Sequence, residues 1–126
     1  SLGKGFLTGT VTKDAVFADN DIRHTIPRFN DPENLRANQK LAEELSDFAK
    51  KKELAPAHLA LSWLLYQKSW IVPIPGTKSV DRLQENMSSA YVELTETDRK
   101  QLDELLSGIE IVGARYSDAQ ESMTNR

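Results

Sequence analysis

At 126 residues the chain is long enough for one domain and no more. Its 39% hydrophobic and 28% charged residues suit a globular fold, and no apolar run approaches the roughly 18 to 20 residues that cross a bilayer. A net charge of −3 excludes a wholly basic nucleic-acid surface, and the lack of cysteine excludes disulfides and thiolate metal sites and fits a reducing compartment.

Residues 1–30 show little periodicity. Gly3, Gly5 and Gly9 make the opening permissive, suited to positive φ or to close approach of a ligand. A glycine-rich turn is an unusual start for a domain, so the expectation is a fragment of a longer fold. The stretch from Asp14 to Arg28 is mixed and polar, the composition of a long functional loop. Asp31-Pro32-Glu33 predicts a helix start, with Asp31 as cap and Pro32 at the first helical position. Leu35, Leu41, Ala42, Leu45, Phe48 and Ala49 repeat at helical spacing, so this helix should run from 32 to about 52. Pro56 opens a second helix to about Lys68, apolar on more than one side.

Residues 70–75, Trp-Ile-Val-Pro-Ile-Pro, have the composition of a strand buried on both faces, although Pro73 removes a ladder donor. Ser79 should cap a helix through about Ala90 with Leu83, Met87 and Ala90 turned inward. Thr95 to Asp98 opens another helix, with Leu102, Leu105 and Leu106 buried and Gly108 as its stop. The tail from Ile109 to Arg126 is polar and should dock loosely. One strand cannot form a sheet, so this order implies a further strand upstream. A small helical bundle would leave 70–75 as an apolar linker.

The sharpest chemical feature is Ile74 to Asn86, where a glycine turn at Gly76 leads into a helix. Free amides at a helix start face an incoming anion. Lys78 adds a cation beside Thr77 and Ser79, and the planar fork of Arg82 lies one turn later. Glu85 and Asn86 extend that surface. The pattern suits an adenosine phosphate held at a helix N-terminus. It equally suits a solvent-facing turn with a Lys78–Arg82 like-charge pair and an Arg82–Glu85 ion pair. Leu2 to Gly9 is neither a Walker loop nor a dinucleotide fingerprint, since its glycine spacing fits neither. Eight-stranded barrels build phosphate sites from the loops after strands seven and eight, and the order here fits that plan. His24 and His58 are far apart and suggest no metal site. Trp63 and Trp70 read as core.

Leu2 to Gly9, Ala57 to Gln67 and Ile74 to Asn86 together resemble the C-terminal third of an aldo-keto reductase. Pro27-Arg28-Phe29 and Asn38 are similar to long-loop members of that family, and Val112 to Tyr116 to a family tail near the cofactor or substrate mouth. The resemblance implies an α/β fold, the C-terminal fragment of a TIM (β/α)8 barrel from about the strand 7 loop through strand 8 and the C-terminal helices. Residues 1–126 would then be one partial barrel domain. It would divide into a cofactor-side loop (1–30), helices (31–68), a strand (70–75), a phosphate-binding turn and helix (76–90), and a C-terminal helix and tail (95–126).

The same resemblance implies a cytoplasmic NADPH-dependent oxidoreductase that reduces aldehydes or ketones by hydride transfer. This chain would supply cofactor binding only, because the family's catalytic aspartate, tyrosine, lysine and histidine lie in the first half of the barrel. Lys78 and Arg82 would grip the 2′-phosphate with Thr77 and Ser79 nearby. Glu85 and Asn86 would meet the adenine end, Gly76 would form the turn, and Leu2, Gly3, Lys4 and Gly5 would line the pyrophosphate side. The implied partners are a carbonyl substrate and the missing N-terminal barrel portion, with no nucleic acid, membrane or metal. Two alternatives are a cofactor-sensing regulatory or binding subunit with the same barrel, and a non-catalytic structural fragment.

Overall fold

The computed structural model describes residues 2–124. After a 3-10 turn at Gly3–Thr8 and another at Ile22–Thr25, six α-helices follow: α1 (Pro27–Asn30), α2 (Pro32–Lys51), α3 (Pro56–Gln67), α4 (Val80–Ser88), α5 (Glu96–Ser107) and α6 (Asp118–Glu121). No strand occurs among the described residues. The expected α/β class and barrel fragment are therefore corrected to an all-helical fold. The reason lies in residues 70–75. A single extended segment has no ladder partner, and Pro73 and Pro75 carry no N–H to donate. Trp70, Val72 and Ile74 are 75%, 78% and 87% exposed, so the doubly buried strand is an exposed connector and Trp70 is not core.

Local chemistry explains the helix starts. The Asp31 carboxylate accepts from the Glu33 and Asn34 amides, and Pro32 follows at the first helical position. Thr95 and Asp98 cap α5 reciprocally: each side chain accepts from the other's backbone amide at 3.1 Å. The buried Asp98 carboxylate also pairs with Lys52 at 2.5 Å, which joins α5 to the end of α2. That Lys52 contact, offset in part by burial and helped by the Thr95 bonds, holds the Asp98 carboxyl below its ordinary range.

Two apolar clusters share α2. Leu35 and Ala42 face Phe6, Val11, Ile26 and Phe29, where Phe29 meets the rings of Phe6 and Phe17 edge-on. Leu41, Leu45 and Ala49 face Leu59, Leu94 and Leu102. The helix thus serves as the spine of the fold, with partly buried Leu7 touching both clusters.

Polar bonds fasten α3 to the segment after α4. Buried Ser62 donates to the Ser89 carbonyl at 2.9 Å, and the Tyr66 hydroxyl bridges the Val92 carbonyl and the Leu94 amide. The Trp63 indole donates to Asp103 of α5. Helix α4 reverses its expected orientation. Leu83 and Met87 are 47% and 64% exposed, whereas Glu85 and Asn86 are half-buried.

The start of the tail is fastened, contrary to its polar composition. Asn38 on α2 donates to the Val112 carbonyl at 2.8 Å and accepts from the Val112 amide at 2.9 Å. Arg28 Nε donates to the Gly113 carbonyl at 2.9 Å. Gly113 sits at φ 81°, and a Cβ there would lie 2.8 Å from Asn34 Nδ2. Only glycine fits this close approach.

Candidate anion-binding site

The turn at Gly3–Thr8 is held by its own backbone. The Leu2 carbonyl accepts from the Gly5 and Leu7 amides, and the Thr8 hydroxyl donates to the Gly5 carbonyl at 2.7 Å. Gly3, Lys4 and Gly5 all have positive φ, at 57°, 55° and 90°. Left-handed backbone costs a glycine little but strains Lys4. Strain of this kind persists where the surroundings impose it, and it concentrates at functional positions.

Arg23 reaches this turn from the next one. Its guanidinium clasps Asp21 through Nε and Nη2, at 3.0 and 2.6 Å. Nη1 donates to the Lys4 carbonyl at 3.4 Å, and the plane lies 4.3 Å from the Phe17 ring centroid. The side-chain bonds from Arg23, followed by its backbone amide, lower the Asp21 carboxyl from 3.8 to about 2. An acid held lower in the folded chain stabilises it fully above its unfolded value, and that contribution disappears as pH falls through the folded one. Asp21→Asn should therefore remove stability above pH 4 and flatten the loss between pH 4 and 2 seen in acid titration of the unsubstituted chain, by circular dichroism. An unchanged acid limb would count against the Asp21–Arg23 clasp.

The second wall is the start of α4. Ser79 caps it by accepting from the Arg82 amide at 3.4 Å, and the Thr77 hydroxyl accepts from the Ser79 amide at 3.1 Å. The first in-helix bond runs from the Leu83 amide to the Ser79 carbonyl. The amides of Val80 and Asp81 have no acceptor among the described residues. Lys78 and Arg82 are exposed and take part in no ion pair among the described residues.

These walls meet in one cleft of about 750 Å³. It brings together Leu2, Lys4 and Gly5 with Gly76, Thr77, Lys78, Arg82, Glu85 and Asn86. Two candidates from the sequence lie off its lining: Gly3 borders a neighbouring cavity, and Ser79 acts as the α4 cap. Thr8, Thr10 and Arg23 line the cleft as well, without having stood out in the sequence. Nothing in the local pattern around Arg23 marks it, because its partners Lys4 and Phe17 are joined to it only by the fold. No group of acidic or histidine side chains among the described residues could hold a metal. His58 Nε2 lies 2.9 Å from the Ser88 hydroxyl and ties α3 to α4, while exposed His24 lies 3.8 Å from Asp19.

The profile described as the aldo/keto reductase family matches residues 1–107. The chain belongs to the aldo/keto reductase family. It is 38% identical over 115 residues to the aldo-keto reductase yakc [NADP(+)] of Schizosaccharomyces pombe, covering 91% of this chain and 34% of that protein. It is 36% identical over 115 residues to the probable aldo-keto reductase 1 of Glycine max (91% and 33% covered). It is 34% identical over 114 residues to the aldo-keto reductase str7 of Strobilurus tenacellus (90% and 34% covered). The chain thus spans about a third of the length of these curated relatives.

This aldo/keto reductase family chain differs from what its resemblance implied. NADPH extended across a barrel mouth needs a barrel, and the described residues contain no strand. Hydride transfer to an aldehyde or ketone, a carbonyl substrate and a docked N-terminal half-barrel all assume the same scaffold, and so does a cofactor-sensing subunit built on it. The architecture supports none of these readings. No helix among the described residues is long and apolar enough to cross a membrane.

Proposed function

We propose that this chain binds a phosphate-bearing small molecule in the cleft between the glycine turn and the start of α4. The observation that carries the reading is that Lys78 and Arg82, at the start of α4, line one cleft with the turn that carries Lys4. Cations and unsatisfied donors at a helix start are each favourable to a dianion, and together they fix its position. The Arg82 fork suits two phosphate oxygens at once, and Lys78 acts as a point charge. The hydroxyls of Thr8 and Thr10, 2.9 Å apart, add polar oxygens to the opposite wall, with Thr8 donating to the Gly5 carbonyl and accepting from Thr10. Glu85 and Asn86 give the inner end hydrogen-bonding groups for the part of the ligand that carries no charge. A cytoplasmic setting belongs to this proposal, supported by the cysteine-free sequence.

Isothermal titration with inorganic pyrophosphate and with adenosine diphosphate tests it. Both should bind, and affinity should fall with added salt as expected for exposed cations. Lys78→Ala with Arg82→Ala should weaken both by roughly tenfold or more, the loss of one to two charge-assisted contacts. Equal affinity in that double variant, with its helical content intact, would refute the assignment.

A further inference from the structure

A second cavity, of about 430 Å³, lies behind the glycine turn and has a different character. Its floor is apolar, formed by Phe6, Leu7, Phe29, Leu41 and the exposed Ile111 of the tail. Its border carries Lys4, Arg28 and Arg115, and no acidic residue lines it. None of these three cations belongs to an ion pair among the described residues.

Two of them lie against the Tyr116 ring. Lys4 Nζ lies 4.9 Å and the Arg115 guanidinium 5.4 Å from its centre. Arg28 uses Nε on the Gly113 carbonyl, which leaves its terminal nitrogens without an acceptor among the described residues. The fastened tail therefore closes one side of an apolar chamber and places cations at its rim. In a chain of net charge −3, this grouping is a local reversal of sign.

We propose that this cavity takes an amphipathic monoanion, an aliphatic or aromatic body that carries one carboxylate. The carbon body would lie along Leu7 and Ile111, over the packed Phe6, Phe29 and Leu41, and the carboxylate would meet Arg115 and Arg28. Volume and lining both fit a small-molecule site, mostly apolar with a few convergent polar groups. The proposal is separate from the phosphate cleft, which shares Leu2 and Lys4 with this cavity but neither arginine of the rim.

The test is titration of the full chain with decanoate below its micellar concentration, with 1-decanol as the uncharged counterpart. Decanoate should bind more tightly than decanol and shift the amide resonances of Phe6, Leu41 and Ile111. Arg115→Gln should weaken decanoate by roughly fivefold, the scale of one exposed charge contact, and leave decanol unchanged. Arg115→Lys should restore most of that loss, which separates lost charge from lost folding. Equal binding of decanoate and decanol would overturn the proposal. So would decanoate affinity indifferent to Arg115→Gln, or resonance shifts confined to other surfaces.

Discussion

Asn38→Ala should release the tail and cost about 2 to 4 kcal/mol, the sum expected when two bonds are lost and their backbone partners are left poorly satisfied. Asn38 is 3% exposed, and both ends of its amide are spent on Val112, which lies 74 residues later in the chain. Alanine removes the donor and the acceptor together and leaves the half-buried Val112 backbone without replacements. Hydrogen exchange at the Val112 amide should accelerate, and so should exchange at its tail neighbours. Exchange in the middle of α3 should change much less, because α3 packs in the other cluster. Asn38→Asp should be at least as damaging, since it keeps an acceptor for the amide but buries a carboxylate against the Val112 carbonyl. If Val112 stays protected in Asn38→Ala, the clamp does not hold the tail.

The second large effect is expected at Leu59. It is 1% exposed on α3, in the cluster of Leu41, Leu45, Ala49, Leu94 and Leu102. Leu59→Ala should cost about 2 to 5 kcal/mol through lost burial and the cavity left behind, read as a fall in the denaturant midpoint. Leu83→Ala is the matched comparison. Leu83 stands at an apolar helical position but is 47% exposed, so its truncation should stay within about 0.5 kcal/mol. Similar losses at the two sites would mean that the outer face of α4 is covered after all.

That contrast shows which parts of this fold the sequence discloses. Helix starts are written in short-range chemistry, so Asp31-Pro32 and Thr95 to Asp98 can be read directly. The apolar stripe of α2 is equally local, because one helix face carries it. Burial of α4 and of 70–75 depends on what lies opposite, and periodicity carries no information about that. Leu83, Met87, Trp70 and Val72 have core-like identities and exposed positions for this reason. The tail errs in the opposite direction: polar composition hides an Asn38 clamp and an Arg28 bond that only long-range folding brings together.

The candidate site divides in the same way. Gly76, Lys78 and Arg82 are visible as a turn and a charged helix start, and Lys4 as part of a glycine-rich loop. That these two segments share one cleft follows from packing of the glycine turn against α3, with α4 on the same helix. Arg23 reaches the glycine turn through a carbonyl and packs on the Phe17 ring, contacts with no sequence signature.

The most direct test of the account is a pyrophosphate titration of the isotopically labelled chain, followed by amide resonances. The phosphate cleft predicts saturable shifts at Lys4 and Gly5 together with Thr77, Lys78 and Arg82, on one binding curve. Shifts at only one of these two walls, or none that saturate, would contradict a shared anion site.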